Sequence, residues 1–445
     1  MAERVFDPSG PLSGTLRAPA DKSISHRAAL LGAMSDGGCT IEGYLDAADT
    51  RSSLDAVAAL GAHVAITGED ASGLRVEIEG VGLRGPKSGT AVDAGNAGTL
   101  IRLISGWLAG QPGSSFELDG DESIRRRPMG RVAEPLRAMG ATITAAEGDR
   151  PPLRIEGAEL RGIDYPLPVA SAQVKSCLLL AGLLADSPTR IGERERTRDH
   201  TERMLSAAGA TLEIADRTAL PTAPSPASIT VEPATALQLP SMRVPGDISS
   251  AAFHLIAGLI VKGSSVTVEG VGLNPTRVGL LGILSRMGAA IEVEETGFEA
   301  GEPIGRINAR SGALQGTRVS GGEIPLAIDE LPLVALLGCF AEGETVVTGA
   351  EELRHKESDR VETVVAGLSA LGARIEALPD GFVVTGSGGL EGGTIDAAGD
   401  HRIAMLGAVA GLASRTGVDV RGVEAAAVSY PGFEADLASL TAARG

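Results

Sequence analysis

One phrase recurs along this chain: apolar residues at helical spacing, then Gly-Ala, then apolar residues in alternation. It appears at 56–66 (AVAALGAHVAI), 135–143 (PLRAMGATI), 204–214 (MLSAAGATLEI), 283–293 (ILSRMGAAIEV) and 367–377 (GLSALGARIEA). Its glycines, Gly61, Gly140, Gly209, Gly288 and Gly372, are spaced by 79, 69, 79 and 84 residues. A glycine there suits the residue just past a helix, where a left-handed backbone stops the helix before a strand begins. Such a period means a chain built from copies of one supersecondary unit. The terminal YPGFEADLASLTAARG reads as a sixth helix that lacks its following strand.

A second family of helices alternates with the first. Its members start near Asp21, Asn96, Ala170, Gly246, Ile328 and Gly399, at intervals of 75, 74, 76, 82 and 71 residues. Past the first turn each is apolar nearly all round and rich in Ala and Gly. A helix with no polar face belongs inside a domain, and small residues allow close helix approach. Short strand-like segments follow, among them TIEGYL, SSFELDGD, SSVTVEGV, ETVVTGA and GVDVRGV. The unit is therefore strand, inner helix, strand, amphipathic helix, strands, six times over in an α/β chain. Six units exceed one comfortable core, so two domains of three units are expected. A Pro-bearing boundary falls near 234–246, residues 1–20 are available to pair with the C-terminal half, and 215–229 reads as a surface insertion.

Composition narrows the partners. The 445 residues carry 39 Lys+Arg against 57 Asp+Glu, a formal charge of −18, with only 2% aromatics. That balance repels nucleic acid and lacks stacking platforms, so no nucleic-acid partner is expected. Apolar runs are too short to span a bilayer and no secretory pattern opens the chain, so a cytoplasmic protein without a membrane partner is expected. Cys39, Cys177 and Cys339 lie far apart in apolar settings, reading as buried free thiols rather than a disulfide or zinc framework. Four of the six histidines (His26, His200, His355, His401) open helices, but their spacing does not make a metal site.

The inner helices begin with polar residues, and several add a cation where the helix dipole disfavours one. Lys22, Ser23, Ser25, His26 and Arg27 crowd the first; Asn96, Gly98, Thr99 and Arg102 the second; Ser171, Gln173 and Lys175 the third; Asp400, His401 and Arg402 the sixth. A cation at that end costs about 0.3–1 kcal/mol. Capping explains one such helix; several together call for an anionic ligand, which helix N-termini favour. RRRPMGR (125–131) sets four arginines beside Pro128, expected at the first helical position. Asp329 and Glu330 precede a fully apolar helix, and Glu357 lies between Lys356 and Arg360. Either acid could move a proton or simply cap a helix and pair with a cation.

The strings DKSISHR (21–27), DAGNAGT (93–99), RPMGR (127–131), ASAQVKS (170–176), TRDHTE (197–202), IDE (328–330), ELRHKESDR (352–360) and DHR (400–402), in this order over nearly the whole chain, resemble the EPSP synthase family of enolpyruvyl transferases. DKSISHR, GNAGT and KESDR are specific in combination; GNAGT alone is weak. The resemblance implies two similar domains of three βαβαββ repeats, each an inside-out α/β barrel with buried parallel helices, and a substrate cleft between them. It implies a discontinuous first domain, 1–20 plus 244–445, and a second of 21–243, with hinge crossovers near 20 and 243. It implies transfer of the enolpyruvyl group of phosphoenolpyruvate to the 5-hydroxyl of shikimate 3-phosphate, releasing phosphate in the shikimate route to aromatic amino acids. No metal or organic cofactor is implied, and a monomer is expected.

Residue roles follow by motif. Lys22, Ser23, Arg27, Ser171, Ala172, Gln173, Arg198, Asp329 and Lys356 match shikimate 3-phosphate positions; Lys22, Gly98, Arg127, Gln173, Arg360 and Arg402 match phosphoenolpyruvate positions. Asp329 is the expected base toward the 5-hydroxyl, and Glu357 with Lys22 the proton delivery to the methylene. Some strings depart from the common family pattern: Val428-Ser429-Tyr430-Pro431 lacks a Lys, and Glu352, Ala172 and Leu103 replace an Asn, a Ser and a Pro. The wording leans toward the second class of the family, some of whose members carry Ala at the Gly98 position and tolerate glyphosate. With Gly98 kept, inhibition by glyphosate in competition with phosphoenolpyruvate is expected. The rivals are UDP-N-acetylglucosamine enolpyruvyl transferase, which typically carries a reactive loop Cys absent from this pattern, and a non-catalytic anion-binding scaffold.

Overall fold

The computed structural model of the protein describes residues 2–70, 72–216 and 227–442. The chain forms two compact units. One comprises Met1–Pro19, Gly246–Phe298 and Pro303–Gly445; the other comprises Ala20–Pro245 with Glu299–Glu302. Each has its own apolar core.

Among its described residues the unit Ala20–Pro245 holds three four-stranded sheets of one design. In the second of them Ala91–Asp93 runs parallel to Ser115–Asp119, which pairs antiparallel with Arg150–Glu156, itself antiparallel to Thr142–Ala146. The third repeats this with Asp164–Pro166, Thr189–Glu193, Ala227–Val231 and Leu212–Asp216. Residues 217–226 of the expected insertion lie outside the described residues; its flanks belong to these paired strands rather than to a loop. The first sheet, Gly38–Tyr44, Gly73–Glu79 and His63–Asp70, takes its parallel edge from Met242–Arg243, far along the chain.

The other unit closes on itself in the same way. Ser13–Arg17 supplies the parallel edge for Ser265–Gly272, and Arg318–Val319 does so for Glu344–Val347. The sixth repeat has Gly393–Asp396 parallel to Val418–Arg421. Its missing antiparallel strand is supplied by the N-terminal Glu3–Phe6, which pairs with Val418–Arg421. Among the described residues the six sheets stay separate and open, so the barrel expected for each unit resolves into three sheets around three inner helices.

Those inner helices are Lys22–Met34, Gly98–Ala109 and Ala172–Gly182 in one unit, and Ile248–Ile260, Leu331–Phe340 and His401–Ala413 in the other. Burial is nearly complete past the first turn, for example at every residue from Ile24 to Met34 and from His401 to Leu412. Close approach explains the small residues: a Cβ on Gly106 would lie 2.1 Å from the Cys177 carbonyl oxygen. The amphipathic helices end where expected, with Gly61, Gly140, Gly209, Gly288 and Gly372 all at positive φ between 73° and 119°. Pro128 corrects one expectation. It lies between the short helix Glu122–Arg126 and the helix Gly130–Met139, not at a first helical position. The residue before a proline is pushed out of helical geometry, so Arg127 is extended at φ −84°, ψ 127° and ends the short helix.

Candidate active site

In the unit Ala20–Pro245 the first turns of the inner helices adjoin. Asp21 caps the first helix by accepting from the Ile24 amide at 2.9 Å, so the dipole end is already met when Lys22 follows. Lys22 Nζ reaches Asp49 Oδ2 at 3.0 Å, and one turn along both helices His26 Nδ1 meets Ser53 Oγ at 2.7 Å. Asp49 is buried and offsets the cost of the cation at the helix start. Burial lowers His26 to about 3, against the opposing pull of Asp49, so its ring is neutral near pH 7. Arg27 is buried and fixed: Nε donates to Thr201 Oγ1 at 2.6 Å, one terminal nitrogen to the Ser23 carbonyl at 2.9 Å, the other to Ser176 Oγ at 3.0 Å.

A second group centres on Gly98. Arg102 donates to Gln173 Oε1 at 3.0 Å, while Gln173 Nε2 donates to Thr99 Oγ1 at 3.0 Å, tying first turn to first turn. Arg127 donates to Asn96 Oδ1 at 3.3 Å and Ser123 Oγ at 3.1 Å. Gly98 leaves room for both cations, since a Cβ there would be 2.9 Å from a terminal nitrogen of Arg102 and of Arg127. Ser171 caps its helix through Val174 N, leaving Ala172 as its first residue. Arg198 is half-buried in the loop before the helix His200–Ala207.

The other unit assembles a charge cluster where its inner helices begin. Arg360 is 1% exposed and donates through Nε to Asp400 Oδ2 at 2.8 Å, through Nη1 to Asp329 Oδ1 at 3.1 Å, and through Nη2 to Glu357. Burial alone would lower its pKa, but Asp400, Glu357 and Asp329 reverse this and hold it well above its ordinary value. Asp400, buried at the cap of His401–Ala413, would be raised by burial; Arg360 keeps it below the usual carboxylate range. Asp329 is ringed by cations, with Lys356 at 3.7 Å, Arg360 at 3.1 Å and Arg402 at 3.8 Å. Asp329 is not a cap; Glu330 holds that place, without a side-chain capping bond, and Arg402 Nη1 donates to the Asp329 carbonyl at 3.1 Å.

The predicted residues therefore fall into two constellations, one per unit. Lys22, Ser23, Arg27, Gly98, Arg127, Ser171, Ala172, Gln173 and Arg198 lie in one, and Asp329, Lys356, Glu357, Arg360 and Arg402 in the other. Sequence reasoning missed Asp49, and it gave Ser176, Thr201 and Asp400 no fixing role, because such pairing is set by tertiary contact; an acid or hydroxyl at a helix start was the only hint. Helix N-termini with arginine forks and a lysine can hold phosphate and carboxylate groups. Among the described residues no group of three or more His, Cys, Asp or Glu side chains could hold a metal ion, and no helix is long and apolar enough to cross a membrane. All three cysteines are buried; burial raises Cys39 to about 11 and Cys339 to about 12, and pushes Cys177 up too.

Comparison with known proteins places the chain in a family. A sequence model of EPSP synthase (3-phosphoshikimate 1-carboxyvinyltransferase) matches residues 6–437. The 3-phosphoshikimate 1-carboxyvinyltransferase of Thermus thermophilus is 48% identical over 439 residues, 98% of each chain. That of a Synechococcus strain is 46% identical over 441 residues, 99% of this chain and 98% of its own. Among solved structures, EPSP synthase from Acinetobacter baumannii superposes with a TM-score of 0.84 at 38% identity, covering 99% of this chain and 98% of that one. The enolpyruvyl transferase NikO from Streptomyces tendae, at 18% identity and a TM-score of 0.74 over 98% and 96%, shares the fold. The chain belongs to the EPSP synthase family.

Proposed function

We propose that this chain is a 3-phosphoshikimate 1-carboxyvinyltransferase, moving the enolpyruvyl group of phosphoenolpyruvate to the 5-hydroxyl of shikimate 3-phosphate with release of inorganic phosphate. The observation that carries the chemical reading is Asp329, one carboxylate ringed by Lys356, Arg360 and Arg402. Such a group can take a proton while its neighbours hold anionic substrates. Lys22, Ser23, Arg27, Ser171, Ala172, Gln173, Arg198 and Lys356 bind shikimate 3-phosphate. Lys22, Gly98, Arg127, Gln173, Arg360 and Arg402 bind phosphoenolpyruvate, arginine forks matching its carboxylate and phosphate.

In the first half-step Glu357 gives a proton to the methylene carbon, C2 gains positive character, and the 5-oxygen attacks C2 while Asp329 takes the hydroxyl proton. A tetrahedral intermediate results. In the second, Glu357 takes a proton from the new methyl group, the C2–phosphate bond breaks, and the proton held by Asp329 returns to the departing phosphate. Protons balance, and each acid has served as base. The buried, unreactive thiols disfavour a UDP-N-acetylglucosamine enolpyruvyl transferase reading and fit a reducing cytoplasm.

Mixing the purified chain with both substrates is expected to release phosphate in step with enolpyruvyl product. UDP-N-acetylglucosamine in place of shikimate 3-phosphate should give none, and a mere anion-binding scaffold would release none with either. Lys22→Met is expected to abolish turnover with circular dichroism unchanged. Near-normal turnover in that variant would overturn the site assignment.

A further inference from the structure

The unit Ala20–Pro245 buries an ammonium that the reaction does not use directly. Lys175 is 1% exposed, one turn into the inner helix that opens with Ala172 and Gln173. Its Nζ meets three acceptors on three other segments: Glu193 Oε2 at 3.1 Å, Glu202 Oε1 at 2.6 Å and the Thr197 carbonyl at 3.4 Å. Glu193 ends the strand Thr189–Glu193, and Glu202 lies in the first turn of the helix His200–Ala207. Between them run residues 194–199, Arg-Glu-Arg-Thr-Arg-Asp, of which Thr197 alone is buried. Thr197 is held twice, since its hydroxyl also donates to Glu193. Burial by itself would lower Lys175, but Glu202 and Glu193 hold it above its ordinary value, so the ammonium stays charged. The same short helix is tied in a second way, through Thr201 to Ser176 at 2.7 Å and to Arg27 at 2.6 Å.

The six-residue loop interleaves three arginines with two acids, and its last residue, Asp199, is itself tied to Arg203 at 3.0 Å. Pinning its midpoint from below leaves Arg196 and Arg198 on either side of one fixed peptide. We propose that Lys175 is a positioning residue for shikimate 3-phosphate: by clamping Thr197 between Glu193 and Glu202 it sets where Arg198 meets the substrate's phosphate. This rests on the substrate reading above.

Removing the ammonium alone would strand two buried carboxylates and unfold the region, so Lys175→Met is made together with Glu193→Gln and Glu202→Gln. A gentler second variant, Thr197→Val, removes only the hydroxyl tie. Affinity for shikimate 3-phosphate is read by calorimetry without the second substrate, alongside kcat, the KM for phosphoenolpyruvate and thermal unfolding. The neutralised variant is expected to stay folded and bind shikimate 3-phosphate about tenfold or more weakly, the loss of one charge-assisted contact. Its KM for phosphoenolpyruvate should hold within about twofold, and Thr197→Val should fall between it and wild type. A folded neutralised variant with wild-type affinity, whatever its melting temperature, overturns the inference. If that variant fails to fold, Thr197→Val decides by the same criterion. A wild-type chain that binds shikimate 3-phosphate but turns nothing over sinks the enzymatic reading and leaves this comparison intact.

Discussion

Gly98 shows how little space separates the cations at one helix start. A methyl group there would sit 2.9 Å from terminal nitrogens of both Arg102 and Arg127. Both are ends of flexible side chains, so Gly98→Ala should fold, with the two guanidinium groups re-aimed. Because Arg127 binds the donor in the proposed mechanism and Arg102 holds the donor-binding Gln173, KM for phosphoenolpyruvate should rise by about tenfold, the scale of one charge-assisted hydrogen bond. Inhibition by glyphosate, expected to compete with phosphoenolpyruvate in the wild type, should weaken in parallel. Steady-state kinetics with and without glyphosate check both; an unchanged KM would mean that the glycine serves packing alone. The string DAGNAGT marks Gly98 in the sequence, but not the reason for it. Arg127 comes from another helix end, and its extended backbone is set by Pro128. The same holds for Lys22, visible as a cation out of place, whose partner Asp49 gives no local sign. Buried charge pairs are chosen by tertiary contact, and single-sequence patterns do not carry that information.

Elements were more legible than pairs. Gly-Ala after an apolar-periodic run is a local backbone requirement, and it located five helix ends because left-handed φ is costly for other residues. The inner helices were legible for a similar reason, as an all-round apolar pattern has only one environment. The distant strand Met242–Arg243 was not, because two residues carry little periodicity, whereas the pairing of residues 1–20 with the C-terminal half was expected and is made by Glu3–Phe6 and Ser13–Arg17. One inner helix carries a titratable group with a measurable consequence. His254 in Ile248–Ile260 is fully buried beside Phe433 and Tyr430. The Tyr430 hydroxyl donates to Asp436 at 2.6 Å, so it accepts from His254 Nε2 at 3.0 Å, and the ring is neutral. Burial lowers His254 from 6.5 to about 3. Between those values the unfolded chain binds a proton that the native chain refuses, so stability falls as pH drops from 6.5 toward 3. From pH 7 to pH 5 this one group costs roughly 2 kcal/mol, at about 1.4 kcal/mol per unit. His254→Gln keeps a donor for Tyr430 and removes the titration. Its urea stability should fall less than that of wild type over that interval, by about this amount. Parallel loss in both proteins would show that the native chain takes up a proton at His254 as readily as the unfolded one does.

At the scale of the molecule, the net charge of −18 proved a poor guide to ligands, because the cations that matter are gathered at helix starts while the excess acid is dispersed. The chain's closure matters more for stability. Glu3–Phe6 is the antiparallel partner of Val418–Arg421, so the sixth repeat is completed by a strand from far earlier in the chain. Phe6 anchors that strand: it is buried in the core of the unit containing Gly246–Phe298, and its carbonyl lies 2.5 Å from where a Cβ on Gly411 would stand. Phe6→Ala should remove about 3–5 kcal/mol from that unit, the usual cost of deleting a buried phenylalanine ring. The core of the unit Ala20–Pro245 contains no residue from this strand. Chains with two separate cores need not unfold in one step, so scanning calorimetry should resolve two transitions. Phe6→Ala should lower one of them by several degrees and leave the other in place. Shikimate 3-phosphate, whose proposed contacts lie mostly in the unit Ala20–Pro245, should raise the transition that Phe6→Ala leaves alone. If both transitions fall together in the variant, the two cores unfold as one cooperative body, and the N-terminal strand stabilises the whole chain rather than one unit.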